Sequence, residues 1–215
     1  MQFRNQLKTD VKFKNMAKRL RREPIYIAPQ IKGWIDEIGR PTVIDERNAN
    51  AHLDPFNVND KITIYKRQVE DWFLNPATKL VKYKNSNNGF IVLMICVSYL
   101  EGVEQYRRGQ SSRNRSAEFF AAALERIYPN LHTNIQYRSL YEDARCGLFH
   151  NGMVAGKIII NNGFATGLQF IGNADIKISP SKLLRDIKID FGNFITELQN
   201  NQETQQRFDN MFHNM

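Results

Sequence analysis

The chain has 215 residues, 42% hydrophobic and 24% charged, with 30 lysines and arginines against 22 acids and a net charge of +8. This suits one soluble globular domain, or one with an appendage, and is enough chain for a substantial core. Two cysteines, Cys96 and Cys146, exclude a disulfide framework and show no zinc spacing.

The N-terminus lacks the apolar run of a secretory signal, and the longest apolar stretch, Phe90 to Val97, is far short of the about 20 residues a membrane span needs. The expected setting is a reducing cytoplasm, with no membrane partner. The positive excess is local. Residues 1–22 carry eight basic side chains against Asp10 alone, leaving 22 basic and 21 acidic residues in the remainder. This arm is either a solvated segment or a phosphate-attracting one that adds salt-sensitive affinity.

Residues 23–59 show little periodicity and four prolines (24, 29, 41 and 55), and read as an irregular wrap over a bundle. Within it, 25–27 and 42–44 can form short strands and Ile31 to Ile38 a helical piece. From Asp60, as a cap, Ile62, Tyr65, Val69, Trp72 and Phe73 keep helical spacing. Asn75-Pro76 starts a short helix to about Tyr83, and a polar loop at 85–89 follows.

The segment Phe90 to Tyr106 is the most apolar and predicts a central helix buried nearly all round. Glu101 and Glu104 stand at its polar end. The plainer expectation is exposure at the helix terminus; the other is that one of them pairs with an arginine of the helix expected over 133–152. The stretch 107–116 (RRGQSSRNRS) predicts a mobile basic connector, with Arg107, Arg108, Arg113 and Arg115 as candidate phosphate ligands. Ser116 then caps a helix with a Phe120, Ala123, Leu124, Ile127 stripe, closed by Pro129.

Thr133 to Gly152 predicts one helix, with a Thr133/Gln136 capping box and Gly152 as left-handed terminus. Tyr137, Leu140, Tyr141, Ala144 and Leu148 form its apolar stripe. Ser139, Asp143, Cys146, Gly147 and His150 form a second, small polar face open to another helix or a ligand. In α geometry Arg145 and His150 stand about 140° and about 7.5 Å apart. A site using both then needs a bend at the helix end or a second copy of the helix. Beyond it, Lys157 to Ile171 predicts a β-hairpin around Asn161-Asn162-Gly163. Residues 180–200 predict a long helix, and the Gln/Asn-rich tail 201–215 a frayed end.

The run R-C-G-L-F-H, Arg145 to His150, preceded by Y-E-D-A and followed by N-G, resembles the R-x4-H signature of HEPN domains. These are small helical bundles, many of them metal-independent RNases of toxin–antitoxin and phage-defence systems. The resemblance implies an all-α bundle of five or six helices over residues 60–200, with the one hairpin appended. It also implies a homodimer whose site is assembled from two protomers, an RNA substrate, no cofactor or metal, and an antitoxin or companion subunit as a further partner.

The side chains fit that chemistry on their own terms. An imidazole titrates near neutrality, so His150 can take the 2′-hydroxyl proton or protonate the leaving oxygen. Arg145 can hold the phosphate and stabilise charge growing on its non-bridging oxygens. Attack by the 2′-hydroxyl leaves a 2′,3′-cyclic phosphate and spares DNA. Asp143 is a candidate supporting group, reaching His150 more readily across a dimer than within one protomer. HEPN RNases often carry a polar residue directly after the arginine; here it is Cys146, a weaker hydrogen-bonding group, which leaves that role open.

The competing readings are structural: His150 at a helix end, and Arg145 paired with Glu142 or Asp143. A non-catalytic HEPN-like scaffold binding a partner protein, nucleotide or nucleic acid is the alternative function. No Gly-rich phosphate loop or G-x-S-x-G nucleophile turn occurs.

Overall fold

The computed structural model describes residues 22–83, 88–129, 134–154, 157–172 and 175–213. The arm up to residue 21, loop residues 84–87, His132, the Thr133 cap and the His213 side chain lie outside the described residues. The described residues form a mixed α/β protein, with 61% of them in helix and 16% in strands of two sheets, and not the all-α bundle expected. Two compact units divide at Trp72/Phe73, with Asp209 onward joining the first.

In the first unit, residues 23–59 are not an irregular wrap. β1 (Ile25–Ala28), β2 (Ile31–Ile35), β3 (Pro41–Asp45) and β4 (Ala51–Leu53) form an antiparallel meander in chain order. The helical expectation for Ile31 to Ile38 fails because burial there alternates, Ile31 and Gly33 inward, with the period of a strand. Asp36 then ends the strand. Its carboxylate accepts from the N–H groups of Ile38 (3.1 Å) and Arg40 (2.7 Å), closing a turn in which Gly39 has φ +83°.

α1 (Val58–Val69) is capped by Asn57 rather than Asp60, and Ile64 joins the small core of Ala28, Ile31 and Val43. Its Arg67 forks onto both oxygens of Asp45 at 3.1 and 3.0 Å, a bidentate pair in which the carboxylate is nearly fully buried.

The helical run widens into a π-type turn at Glu70–Leu74 and continues as α2 (Asn75–Lys82). Pro76 accounts for the widening: it has no N–H to donate, and its ring crowds the carbonyl four residues back.

The second unit is built on α3 (Gly89–Arg108), which packs against α4 (Ser116–Ile127), α6 (Pro180–Asn200) and the motif helix. Among the described residues α3 is the helix long and apolar enough to cross a membrane, yet half of its apolar window is buried inside the protein. The expected hairpin is also replaced. β5 (Ile158–Ile160), β6 (Leu168–Ile171) and β7 (Asp175–Ile178) form a sheet in the order β5-β7-β6.

The Asn161–Gly163 turn does form, Asn161 accepting from the Gly163 N–H at 2.8 Å, but β5 and β6 do not pair. β7 takes the middle place because Ile176 and Ile178 are its buried positions; it runs parallel to β5 and antiparallel to β6. The tail is a helix as well, α7 (Gln202–His213), with Thr204, Phe208 and Met211 buried and Asn201 accepting from the Thr204 N–H at 3.0 Å.

Candidate functional site

The motif helix, α5, starts as an α-helix at Asn134–Leu140 and widens to π geometry over Tyr141–Asn151. Gly152 ends it at φ +68°, its N–H donating to the carbonyl of Gly147 five residues back. The anticipated stripe is inward: Tyr137, Leu140, Ala144 and Leu148 are buried, and the Tyr141 ring meets Phe120 edge-on at 5.4 Å.

The change of winding alters the motif's geometry. The 140° offset belongs to an α-helix; where hydrogen bonds run i to i+5, residues five apart stand about one turn apart on neighbouring edges. Arg145 and His150 have that sequence spacing, so the winding reduces the angular offset that α geometry would give them.

Arg145 is about one-quarter exposed, and its Nη2 donates to Glu101 Oε2 on α3 at 3.1 Å. Its guanidinium also lies 5.6 Å from the centre of the Tyr141 ring. Burial raises the Tyr141 phenol above its ordinary value, against the lowering effect of the Arg145 charge, so the ring stays neutral beneath the cation. His150 is exposed and makes no hydrogen bond to another described side chain.

Asp143 accepts from Ser139 Oγ at 3.3 Å one turn earlier, and Glu142 pairs with Arg138; neither carboxylate takes Arg145. Cys146 is half-buried beside Tyr141. At Gly147 the small face meets the protein's own backbone. A Cβ on Gly147 would stand 2.6 Å from the Met153 carbonyl oxygen.

Plain exposure at the end of α3 is corrected for both glutamates. Glu101 takes Arg145, and its other oxygen, Oε1, accepts from Ser112 Oγ at 2.7 Å. Glu104 is buried and bound by Arg108 Nε at 2.7 Å and by Arg126 Nη1. It belongs to an ionic network in which Arg126 Nε also reaches Asp190 (2.8 Å), and Tyr99 donates its hydroxyl to the same carboxylate (2.8 Å).

Two of the four candidate RNA arginines are committed to this network. Arg107 pairs with Glu197 at 3.0 Å and stacks on Phe194 at 4.3 Å; Arg108 pairs with Glu104 and Glu118 and stacks on Phe119 at 4.5 Å. Both belong to α3 itself, which Gly109 ends at φ +65°. Arg113 and Arg115 are on the exposed loop, Arg115 donating to Gln110 at 3.0 Å. Arg107, Arg108 and Arg207 do line one open cleft, but Glu104 and Glu197 line it with them and offset their charge.

Ser112, Arg126 and Asp190 carried no signal in the sequence, because each matters only through a partner more than ten residues away. The chain matches no family model, no curated protein and no solved structure.

Proposed function

We propose that this chain is a metal-independent endoribonuclease with a HEPN-type Arg/His site, acting in the cytoplasm in a toxin or phage-defence role. The observation that supports it is the π winding of Tyr141–Asn151, which leaves Arg145 and His150 about one turn apart, the histidine exposed and the arginine partly so.

In the proposed reaction His150 removes the 2′-hydroxyl proton and the 2′-oxygen attacks phosphorus. The bond to the 5′-oxygen of the next nucleotide breaks, and that oxygen receives a proton, leaving a 2′,3′-cyclic phosphate and a 5′-hydroxyl. Arg145 stabilises charge on the non-bridging oxygens. A homodimer supplies the second histidine as acid, and an antitoxin or companion subunit would restrain the pair.

The test is incubation of pure protein with single-stranded RNA in chelator, with analysis of the ends. Wild type should cleave RNA and leave 2′-deoxy substrate intact. Arg145→Ala and His150→Ala should each lose roughly 100-fold or more in rate. Full activity in either variant refutes the assignment.

The second reading, a non-catalytic scaffold for a partner protein or nucleotide, is favoured by the internal pairing of Arg107, Arg108 and Arg145. It predicts folded protein without turnover and a partner recovered by pull-down.

A further inference from the structure

We infer that Ser112 is a positioning residue: it tethers the loop between α3 and α4 to Arg145 through Glu101, so that the loop's hold on that carboxylate sets the orientation of the arginine. The inference rests on the Arg145/His150 reading for its functional meaning, but the tether itself stands on geometry.

Glu101 has two carboxylate oxygens, and each is used once in a different direction. Oε2 accepts from Arg145 Nη2 at 3.1 Å and Oε1 from Ser112 Oγ at 2.7 Å. The group is largely buried, with a side chain 13% exposed, so it is shielded from the water that would otherwise blur its direction. Ser112 is buried to 6% exposure on an otherwise exposed loop whose neighbours Ser111, Arg113, Asn114 and Arg115 all face solvent. A polar residue is drawn inward from such a loop only if its hydroxyl and N–H are both satisfied there. They are: the hydroxyl by Glu101, and the backbone N–H by Gln105 Oε1 at 3.0 Å, one turn further along α3.

The loop is therefore pinned to the same face of α3 that holds the motif helix. Arg113 and Arg115, which flank the pin, are the two candidate phosphate ligands left on the surface. A polyanion drawn to them pulls on the segment that carries Ser112. The loop's engagement and the aim of Arg145 are coupled through one carboxylate. Small misorientation of a charge-stabilising group costs rate rather than affinity.

Ser112→Ala removes the hydroxyl and leaves the Ser112 backbone bonds, the one to Gln105 and the 2.6 Å bond from the Arg115 N–H to the Ser112 carbonyl, in place. Cleavage of single-stranded RNA is to be measured for wild type, Ser112→Ala, Glu101→Gln, the double variant, and Ser111→Ala as the neighbouring control. The expected result is a fall in kcat of about tenfold for Ser112→Ala with KM unchanged. Glu101→Gln should fall further, the double variant should be no slower than Glu101→Gln alone, and Ser111→Ala should match wild type.

In parallel, the Arg145 side-chain Nε–H resonance, identified by its loss in Arg145→Lys, should move in Ser112→Ala and hold still in Ser111→Ala. A wild-type chain that cuts no RNA sinks the nuclease reading but leaves the resonance to decide the tether. An unmoved resonance, or additive losses in the double variant, overturns the tether whether or not the protein is a nuclease.

Discussion

Gly147 shows how tightly a single position of the motif is determined. The chain doubles back after Gly152, and the Met153 carbonyl comes so close that a Cβ at 147 would stand 2.6 Å from it, a contact that backbone cannot relieve by rotating a side chain. Gly147→Ala should therefore destabilise the protein by about 1–3 kcal/mol, the ordinary cost of overpacking against a fixed neighbour, although alanine is the better helix former. Urea unfolding followed by circular dichroism measures it, and an unchanged midpoint would show that the 153–154 backbone yields freely. The sequence already marked this face as small, and that much was legible. What occupies it was not, because a close approach by one's own downstream backbone leaves no residue-type signature at the approaching atoms. Arg145 and His150 were singled out by the resemblance of their motif, and the pairing of Arg145 with Glu101 was the less favoured of the two expectations for the acidic end of α3. Of the local carboxylates Glu142 is the near candidate by i,i+3 logic and Asp143 stands only two residues away, yet Arg138 and Ser139, each four residues earlier, take them and leave Arg145 to Glu101.

Between elements, the clearest bond is the Glu104–Arg126–Asp190 bridge, one group from each of α3, α4 and α6. Both carboxylates are nearly buried, and Asp190 also receives the Tyr99 hydroxyl. Arg126→Ala leaves two buried carboxylates facing one another without their common cation, a loss of about 3 kcal/mol or more that salt should do little to soften. Thermal unfolding of the variant at low and high salt tests this; a shift under about 2 °C would mean that Arg107 or Arg108 takes over the charge. The elements themselves were unevenly readable. α3, α4 and α6 announced themselves through long apolar periodicity. Of the meander, β1 and β3 stand where short strands were expected at 25–27 and 42–44, but β2 and β4 went unread, because strands of three to five residues give too few alternations to stand out from a Pro-broken loop. α7 was hidden by composition: Gln and Asn cover its outer positions, and only Thr204, Phe208 and Met211, at helical spacing, carry the burial. The hairpin failed for a different reason. Its turn chemistry was right, but β7, whose short D-I-K-I run begins four residues after the end of β6, displaced β6 by offering two buried isoleucines.

At the scale of the whole chain, charge is divided between an arm that carries it and a body that spends it. Of the +8 total, residues 1–22 supply eight positive groups and one negative, while the rest holds 22 against 21. Within the described residues Arg67, Arg107, Arg108, Arg126 and Arg145 each face a carboxylate within 4 Å. An internally paired guanidinium displaces no counterion when a polyanion arrives, so it adds little to salt-dependent affinity. Unpaired cations do add to it, with a slope in log K of about −0.7 per phosphate neutralised on a single strand. The binding of single-stranded RNA by an Arg145→Ala/His150→Ala chain, followed by fluorescence anisotropy between 50 and 200 mM salt, should weaken steeply. Deleting residues 1–22 should flatten that dependence to a slope of about −1 or less, the share left to Arg113 and a few exposed lysines. A truncated chain that keeps the full slope would place the phosphate contacts on the body, and the ion pairs of α3 would then have to open when RNA binds.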